Sequence, residues 1–277
     1  MKIFTALLMA AAALGQTGTP NIVNSRFETR TFSGDFMALV KSSAPAWFGY
    51  PIRTNRGNHN SCCWNDYGHG CWLEENRKES VVSTRPAQPI ALEGTDTIAL
   101  LFRVENNQVT KIRVFSLDCP LDGGGLPFVW MTSVPATQSV AFLKQLARQD
   151  GPHELTNGAI FALSVHDDAI ALDALIQLAK TDPSPHLREQ ALFWLAQKAG
   201  ARASATIENA IVNDPDTNVK KHAVFALSQL PKDEGVPKLI DVARTQRNPE
   251  VRKQAFFWLG QSKDPRALAF LEEVLTK

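Results

Sequence analysis

Hydrophobic and polar residues repeat with a period of 32 residues through the second half of the chain. Three segments align without gaps: LREQALFWLAQ at 187–197, VKKHAVFALSQ at 219–229 and VRKQAFFWLGQ at 251–261. A fainter copy, with Leu155, Ala159 and Leu163, precedes them. The apolar residues of each copy lie three or four apart, which is the spacing of one face of an α-helix. We name the helices predicted for these four segments the B helices.

The segments between the B helices carry a second helical pattern with the same period. Its most regular column is Leu143, Leu175, Ile207, Leu239 and Leu271. Asp-Pro or Asn-Pro pairs punctuate the pattern, and proline is favoured in the first helical turn with Asp or Asn as the cap. We name these the A helices. The spacing therefore predicts five A helices and four B helices over residues 137–277, stacked as an all-α solenoid.

The B segments share the motif V/L-R/K-x-x-A-x-F-x-L-x-Q and resemble HEAT-like repeats, in particular the short bacterial type also found in phycobilin lyases. The resemblance covers residues 139–277 and implies a scaffold that binds proteins, although a fold alone does not fix a function. It also implies a ladder of acidic and basic side chains along the stack: Asp182, Asp214, Arg188, Lys220 and Arg252. Thr156 leaves a gap in this ladder in the first copy.

One phenylalanine occurs at the same position of every B segment, away from the predicted core stripe. At about 100° per residue, Leu187, Ala191 and Leu195, flanked by Trp194, form that stripe in the second copy. We call the four residues on the other side the phenylalanine column: Phe161, Phe193, Phe225 and Phe257. Three glutamines follow the last three of them by one helical turn, and three further polar residues flank them: Gln197, Gln229, Gln261, Gln190, Gln254 and His222.

Three interpretations of this surface stay open at the level of sequence. In the first, the rings and amides line a groove, because amides can pair with the backbone of an extended peptide and aromatic rings supply anchoring area. In the second, the rings pack only on one another and on a neighbouring helix. A third possibility is that the helical stack associates with another copy of itself.

Residues 20–135 lack the 32-residue period and show strand patterns instead. Two runs rich in β-branched and aromatic residues span 97–117 and flank Asn106 and Asn107, which tolerate the positive φ of a tight hairpin turn. Further short elements are predicted as strands at 29–32, 47–52, 80–82 and 128–131, and as a helix at 34–42. We expect a β-rich or α+β domain that covers the exposed end of the helical stack.

All four cysteines lie in this first domain, and an even number in an exported chain favours disulfides. They are Cys62, Cys63, Cys71 and Cys119. Because adjacent cysteines do not easily bridge each other, Cys62 and Cys63 are each expected to pair with Cys71 or Cys119. The sequence does not choose between the two resulting connectivities.

The alternative to a scaffold is an enzyme or a metal-binding protein whose site lies in the first domain. His59 and His69 alternate with three of the cysteines at spacings that zinc could use, but no C-x-x-C pair is present. Asp118 and Asp122 precede three glycines, where carboxylates could hold a cation or act as acid and base. The competing interpretation of this second segment is a rigid turn that leaves the hairpin.

Residues 1–15 have the pattern of a cleaved secretory signal. Lys2 precedes a twelve-residue apolar run at 3–14, and Ala13 and Gly15 provide small residues before a cut at Gln16. This run is shorter than the roughly 20 residues needed to span a bilayer. We therefore expect an extracytoplasmic protein, periplasmic or secreted, with no integral membrane segment in its mature chain.

The charge balance narrows the classes of partner. The 277 residues include 29 Lys and Arg against 28 Asp and Glu, which argues against a nucleic-acid binder that depends on releasing counterions. The histidines of the second half, His153, His166, His186 and His222, adjoin no obvious nucleophile. The sequence thus predicts a protein or peptide partner, no catalytic residues, no metal and no cofactor.

Overall fold

The computed structural model describes residues 18–42, 44–54, 62, 64–65, 68–69, 71–74, 96–149, 153–198 and 200–276. The strands in this part are β1 (Asn21–Val23), β2 (Arg26–Thr31), β3 (Ala46–Arg53), β4 (Trp64–Asn65), β5 (Gly68–His69), β6 (Cys71–Trp72), β7 (Thr97–Glu105), β8 (Gln108–Ser116), β9 (Pro120–Asp122) and β10 (Pro127–Thr132). The helices are α1 (Phe36–Ser42), α2 (Ala136–Ala147), α3 (His153–Val165), α4 (Ala169–Thr181), α5 (Pro185–Lys198), α6 (Ala201–Asn213), α7 (Thr217–Ser228), α8 (Lys232–Thr245), α9 (Pro249–Gln261) and α10 (Pro265–Leu275).

The main sheet has five strands in the order β2-β10-β3-β7-β8. Its central hairpin is the predicted one: β7 and β8 are antiparallel, and Asn106 and Asn107 take φ values of 52° and 60°. The strand predicted at 80–82 lies outside the described residues. Gly49 in β3 is required by close packing, because a Cβ atom there would lie 2.6 Å from Leu101 Cδ2 and 2.7 Å from the Leu100 carbonyl oxygen.

Side chains alternate between two buried faces along the central strands. In β7, Leu100 and Phe102 face the helices, whereas Ala99 and Leu101 face a smaller sheet of order β1-β9-β6. This alternation is the period of two expected for a strand. Because both faces are covered, β7 is buried along nearly its whole length.

A disulfide between Cys62 and Cys119 lies beside the face that carries the small sheet. The two Cα atoms are 5.6 Å apart. This pairing belongs to one of the two predicted connectivities and excludes the other, in which Cys62 would bond Cys71. Cys71 is also disulfide-bonded, and Cys63 lies outside the described residues.

Nine of the described helices, α2 to α10, form a C-terminal helical stack. The A helices are α2, α4, α6, α8 and α10, and the B helices are α3, α5, α7 and α9. Each B helix packs on the next B helix as well as on the neighbouring A helices. The buried residues predicted from the repeat, among them Ala191, Leu195 and Leu227, are fully enclosed in this packing.

The sheet and the helical stack share one continuous hydrophobic core. Phe142 of α2 contacts Phe36 of α1 with ring centroids 4.6 Å apart and Phe102 of β7 at 5.3 Å. Helix α3 also packs on β8, where the absence of a side chain at Gly158 lets the helix approach Ile112. The first end of the stack is therefore covered by the sheet. No helix in the described ranges is both long and apolar enough to cross a membrane.

Replacing Cys62 and Cys119 together by serine should lower the free energy of unfolding by about 2–4 kcal/mol, because the disulfide restricts an unfolded loop that spans 57 residues. Urea denaturation of the double variant beside the parent protein measures the difference. Equal midpoints and slopes would show that this cross-link does not contribute to stability.

Candidate functional site

The phenylalanine column forms part of a row of aromatic rings that runs from α3 to α9. Trp194 and Trp258 are interleaved with it. The ring centroids are 4.9 Å apart for Phe161 and Trp194, 4.9 Å for Phe193 and Trp194, 6.0 Å for Phe193 and Phe225, 4.9 Å for Phe225 and Trp258, and 5.0 Å for Phe257 and Trp258. We call these six rings the aromatic row. Such offset and edge contacts favour a fixed arrangement of the rings.

The aromatic row is only partly covered by the protein. Phe161, Phe193 and Phe225 are half-buried, and Phe257 keeps 52% of its surface exposed. Trp194 was assigned to the core stripe from the sequence, but it is half-buried and packs both on the core and on two rings of the column. The Nε1 atom of Trp258 is buried and has no hydrogen-bond partner among the described residues.

Polar side chains border the aromatic row at both ends of the B helices. Gln197, Gln229 and Gln261 are exposed, while Gln190 and Gln254 are half-buried. His222 of α7 lies 3.3 Å from the Glu189 carboxylate of α5. The B-helix surface therefore combines accessible amides with rings whose positions are already set.

The A-helix surface has a different chemistry, because polar pairs link its successive helices. Lys144 Nζ donates to Gln177 Oε1 at 2.7 Å between α2 and α4. Ion pairs join the remaining neighbours: Arg202–Asp173 at 2.5 Å, Lys238–Glu208, and Arg244–Glu273 at 2.9 Å. Ion pairs therefore link three pairs of neighbouring A helices across this surface.

The expected ladder of acidic and basic residues is incomplete. Arg188 forms a buried bidentate ion pair with Asp214, through Nε at 2.7 Å and Nη2 at 2.9 Å. Asp182 instead pairs with Arg148 at 2.8 Å. Gln246 stands one repeat beyond Asp214, so Lys220 has no carboxylate to meet and donates to the Val212 carbonyl oxygen.

Arg252 likewise finds a backbone acceptor, the Gln246 carbonyl oxygen at 3.4 Å. Among the described residues, the implied ladder therefore has one rung between a basic residue of the motif and an aspartate.

Comparisons with known proteins agree with this architecture. Residues 204–277 match the family model described as HEAT repeats. No curated protein matches the chain.

Among solved structures, the chain is similar to human deoxyhypusine hydroxylase in complex with glycerol, at 20% sequence identity and a TM-score of 0.36. The match covers 44% of this chain and 42% of that protein, so the chain corresponds to less than half of its length.

The contact between the sheet and the helical stack contains polar residues that the sequence analysis missed. The Tyr50 hydroxyl lies 2.9 Å from Ser139 Oγ, which lies 2.9 Å from His166 Nε2. His166 was expected to adjoin no nucleophile, and that expectation was wrong. The two residues are 27 positions apart, and only the packing of α2 beside the loop after α3 brings them together.

The Ser139–His166 pair has the geometry of a nucleophile and its base, but its surroundings favour a structural role. Ser139 is 1% exposed and His166 is 3% exposed. The adjoining cavity has a volume of about 40 Å³ and is lined by Arg53, Asp167 and Asp168 among others. That volume suits a water molecule or two rather than a substrate.

Burial lowers the pKa of His166 to about 4, with Lys198 acting in the same direction and Asp168 against it. The imidazole is therefore neutral near pH 7 and can accept a hydrogen bond at Nε2. Protonation would make Nε2 a donor and reverse the chain of hydrogen bonds. The proton of the buried Tyr50 hydroxyl would then need another acceptor.

Several of the first-domain residues considered as metal ligands are committed to other bonds. Cys62, Asp118 and Cys119 have ligand atoms within 4.8 Å of one another, but the two sulfur atoms are bonded as a disulfide. Asp122 Oδ1 accepts hydrogen bonds from Asn24 Nδ2 at 2.9 Å and from the Gly124 backbone N–H at 2.7 Å. This carboxylate therefore holds the turn. His59 lies outside the described residues.

Acidification should weaken the protein through His166. Because its pKa is about 4 in the folded state and about 6.5 when unfolded, the unfolded chain binds more protons between these values. Stability is complete above pH 6.5 and falls toward pH 4, by about 1.4 kcal/mol per pH unit at most.

Chemical denaturation of the parent and the His166→Gln variant across this range measures the contribution of His166. The variant keeps a side chain that can accept a hydrogen bond from Ser139, and its stability should fall less steeply with acid. The same slope in both proteins would contradict the assignment.

Proposed function

We propose that this chain is an exported scaffold that binds a protein or peptide on its B-helix surface without a catalytic step. The helical stack would be a solenoid with a 32-residue period over 137–277, preceded by a β-rich domain over 20–135 and a signal over 1–15. The extracytoplasmic location rests on that signal pattern and on the disulfides, which persist in oxidising compartments.

The observation that carries the proposal is the difference between the two surfaces of the helical stack. Several charges of the A helices pair with each other across the repeats, whereas the B helices present the half-buried aromatic row and exposed amides. Aromatic residues are enriched among those that dominate binding energies. Rings already held by their neighbours lose little conformational entropy when a ligand binds. A smaller entropy cost therefore offsets the favourable energy of the contact.

The packing of the helices supports the same surface. The B helices contact one another more extensively than the A helices do, as expected if the B helices line the concave side of a curved stack. A concave surface formed by successive repeats is the part that such proteins use for extended partners.

The test is partner capture by the full chain and by a Phe193→Ala/Phe225→Ala variant. Loss of both rings should remove most of the captured partner but lower the free energy of unfolding by only about 1–2 kcal/mol. A loss of about 3–5 kcal/mol, the size seen for fully buried residues, would assign the rings to the core and contradict the proposal.

Val212→Ala is the matched control, because Val212 is an apolar A-helix residue with 63% of its surface exposed. Partner capture should be unchanged in this variant. Equal loss from the control and from the double variant would indicate that the contact is not specific to the B helices.

A further inference from the structure

Two lysines at one repeat position give the B-helix surface a local positive charge. Lys221 of α7 and Lys253 of α9 are 32 residues apart, and each precedes a ring of the phenylalanine column by four residues. Residues four apart share a helix face. Each lysine therefore lies one turn from Phe225 or Phe257, and we call these four residues the lysine–phenylalanine strip.

Neither Lys221 nor Lys253 forms an ion pair among the described residues. The equivalent residue of α5 is Glu189, which already faces His222, and that of α3 is the neutral Asn157. The residue at this repeat position is therefore neutral in α3, acidic in α5 and basic in α7 and α9. A cation left unpaired beside accessible rings offers a site for an anionic group of a ligand.

The ring beside Lys253, Phe257, is the most exposed ring of the aromatic row. Trp258 lies between Phe257 and Phe225, and its buried Nε1 has no acceptor in the part of the chain that the structure describes. An unpaired buried donor is unfavourable. A ligand that displaced the Phe257 ring and supplied an oxygen atom would satisfy this N–H.

We propose that α7 and α9 bind an acidic, extended segment of a partner protein, with carboxylates at Lys221 and Lys253 and an apolar side chain on the rings one helical turn away. This inference rests on the proposed function and adds the chemistry of the partner. Packed helices lie about 8–10 Å apart, and an extended chain rises about 3.3 Å per residue. The two carboxylates should therefore be about three residues apart.

The experiment selects peptides from a random display library on the immobilised full chain. Sequences that bind should be enriched in Asp or Glu pairs about three residues apart, with a large apolar residue between them. The Lys221→Glu/Lys253→Glu variant should lose this preference and select Lys or Arg instead. The matched control, Lys144→Glu/Lys180→Glu, reverses two charges on the A helices and should keep the acidic preference.

The affinity of a labelled selected peptide, measured by fluorescence anisotropy, gives the size of the effect of charge reversal. The Lys221→Glu/Lys253→Glu variant should bind it about tenfold more weakly or worse, and added salt should weaken binding to the parent protein. Circular dichroism of each variant verifies that it is folded.

Each outcome decides a separate point. Selected peptides that require the phenylalanine column but show no acidic preference would overturn this inference and leave the proposed function standing. Absence of any peptide whose binding depends on Phe193 and Phe225 would overturn both. An acidic preference that survives charge reversal at Lys221 and Lys253 would place the anion site elsewhere.

Discussion

The aromatic packing between the sheet and the first A helix is the contact on which both halves of the protein depend. Phe36, Phe48 and Phe102 enclose Phe142 from the sheet side. A stack of repeats leaves an apolar face at its end, and a sheet leaves an apolar face on one side. Joining the two faces buries both, so neither half reaches its full core alone.

This shared core also fixes the surface that we propose for binding. A small interface between two domains permits relative motion, whereas this one is continuous with the interior of both parts. The chain of hydrogen bonds from Tyr50 through Ser139 to His166 lies in the same contact. It restricts the orientation of the helices on the sheet, since hydrogen bonds require defined geometry. The aromatic row therefore begins on a helix, α3, that is held in place by the sheet.

Much of the fold could be predicted because it is encoded in local patterns. The hairpin at 97–117 followed from period-two alternation around Asn106 and Asn107, and the HEAT-like helices followed from a period repeated four times. Features that depend on contacts between distant segments could not be predicted. Ser139 and His166 carry no shared motif, and the choice of Cys119 as the partner of Cys62 depends on where the strand pairing places them.

The aromatic row shows that a sequence repeat predicts the helix face on which a residue lies but not how exposed that residue is. The sequence placed the four phenylalanines on one face, yet their exposure depends on neighbours that are not repeated. Trp194 and Trp258 partly cover the column, and the corresponding residue of α7 is Ala226. Phe257 is the most exposed of the four, although Phe193 and Phe225 occupy the same position of the same motif.

The nearly balanced total charge conceals how differently the two surfaces use their charges. Residues 137–277 contain 17 acidic and 17 basic side chains, but equal numbers do not require equal distribution. On the A helices, three ion pairs join neighbouring repeats. On the B helices, Gln246 stands where a carboxylate would meet Lys220, and neither Lys221 nor Lys253 forms an ion pair among the described residues. The recognition that we propose then depends on two lysines beside fixed rings, and a long-range field is not needed.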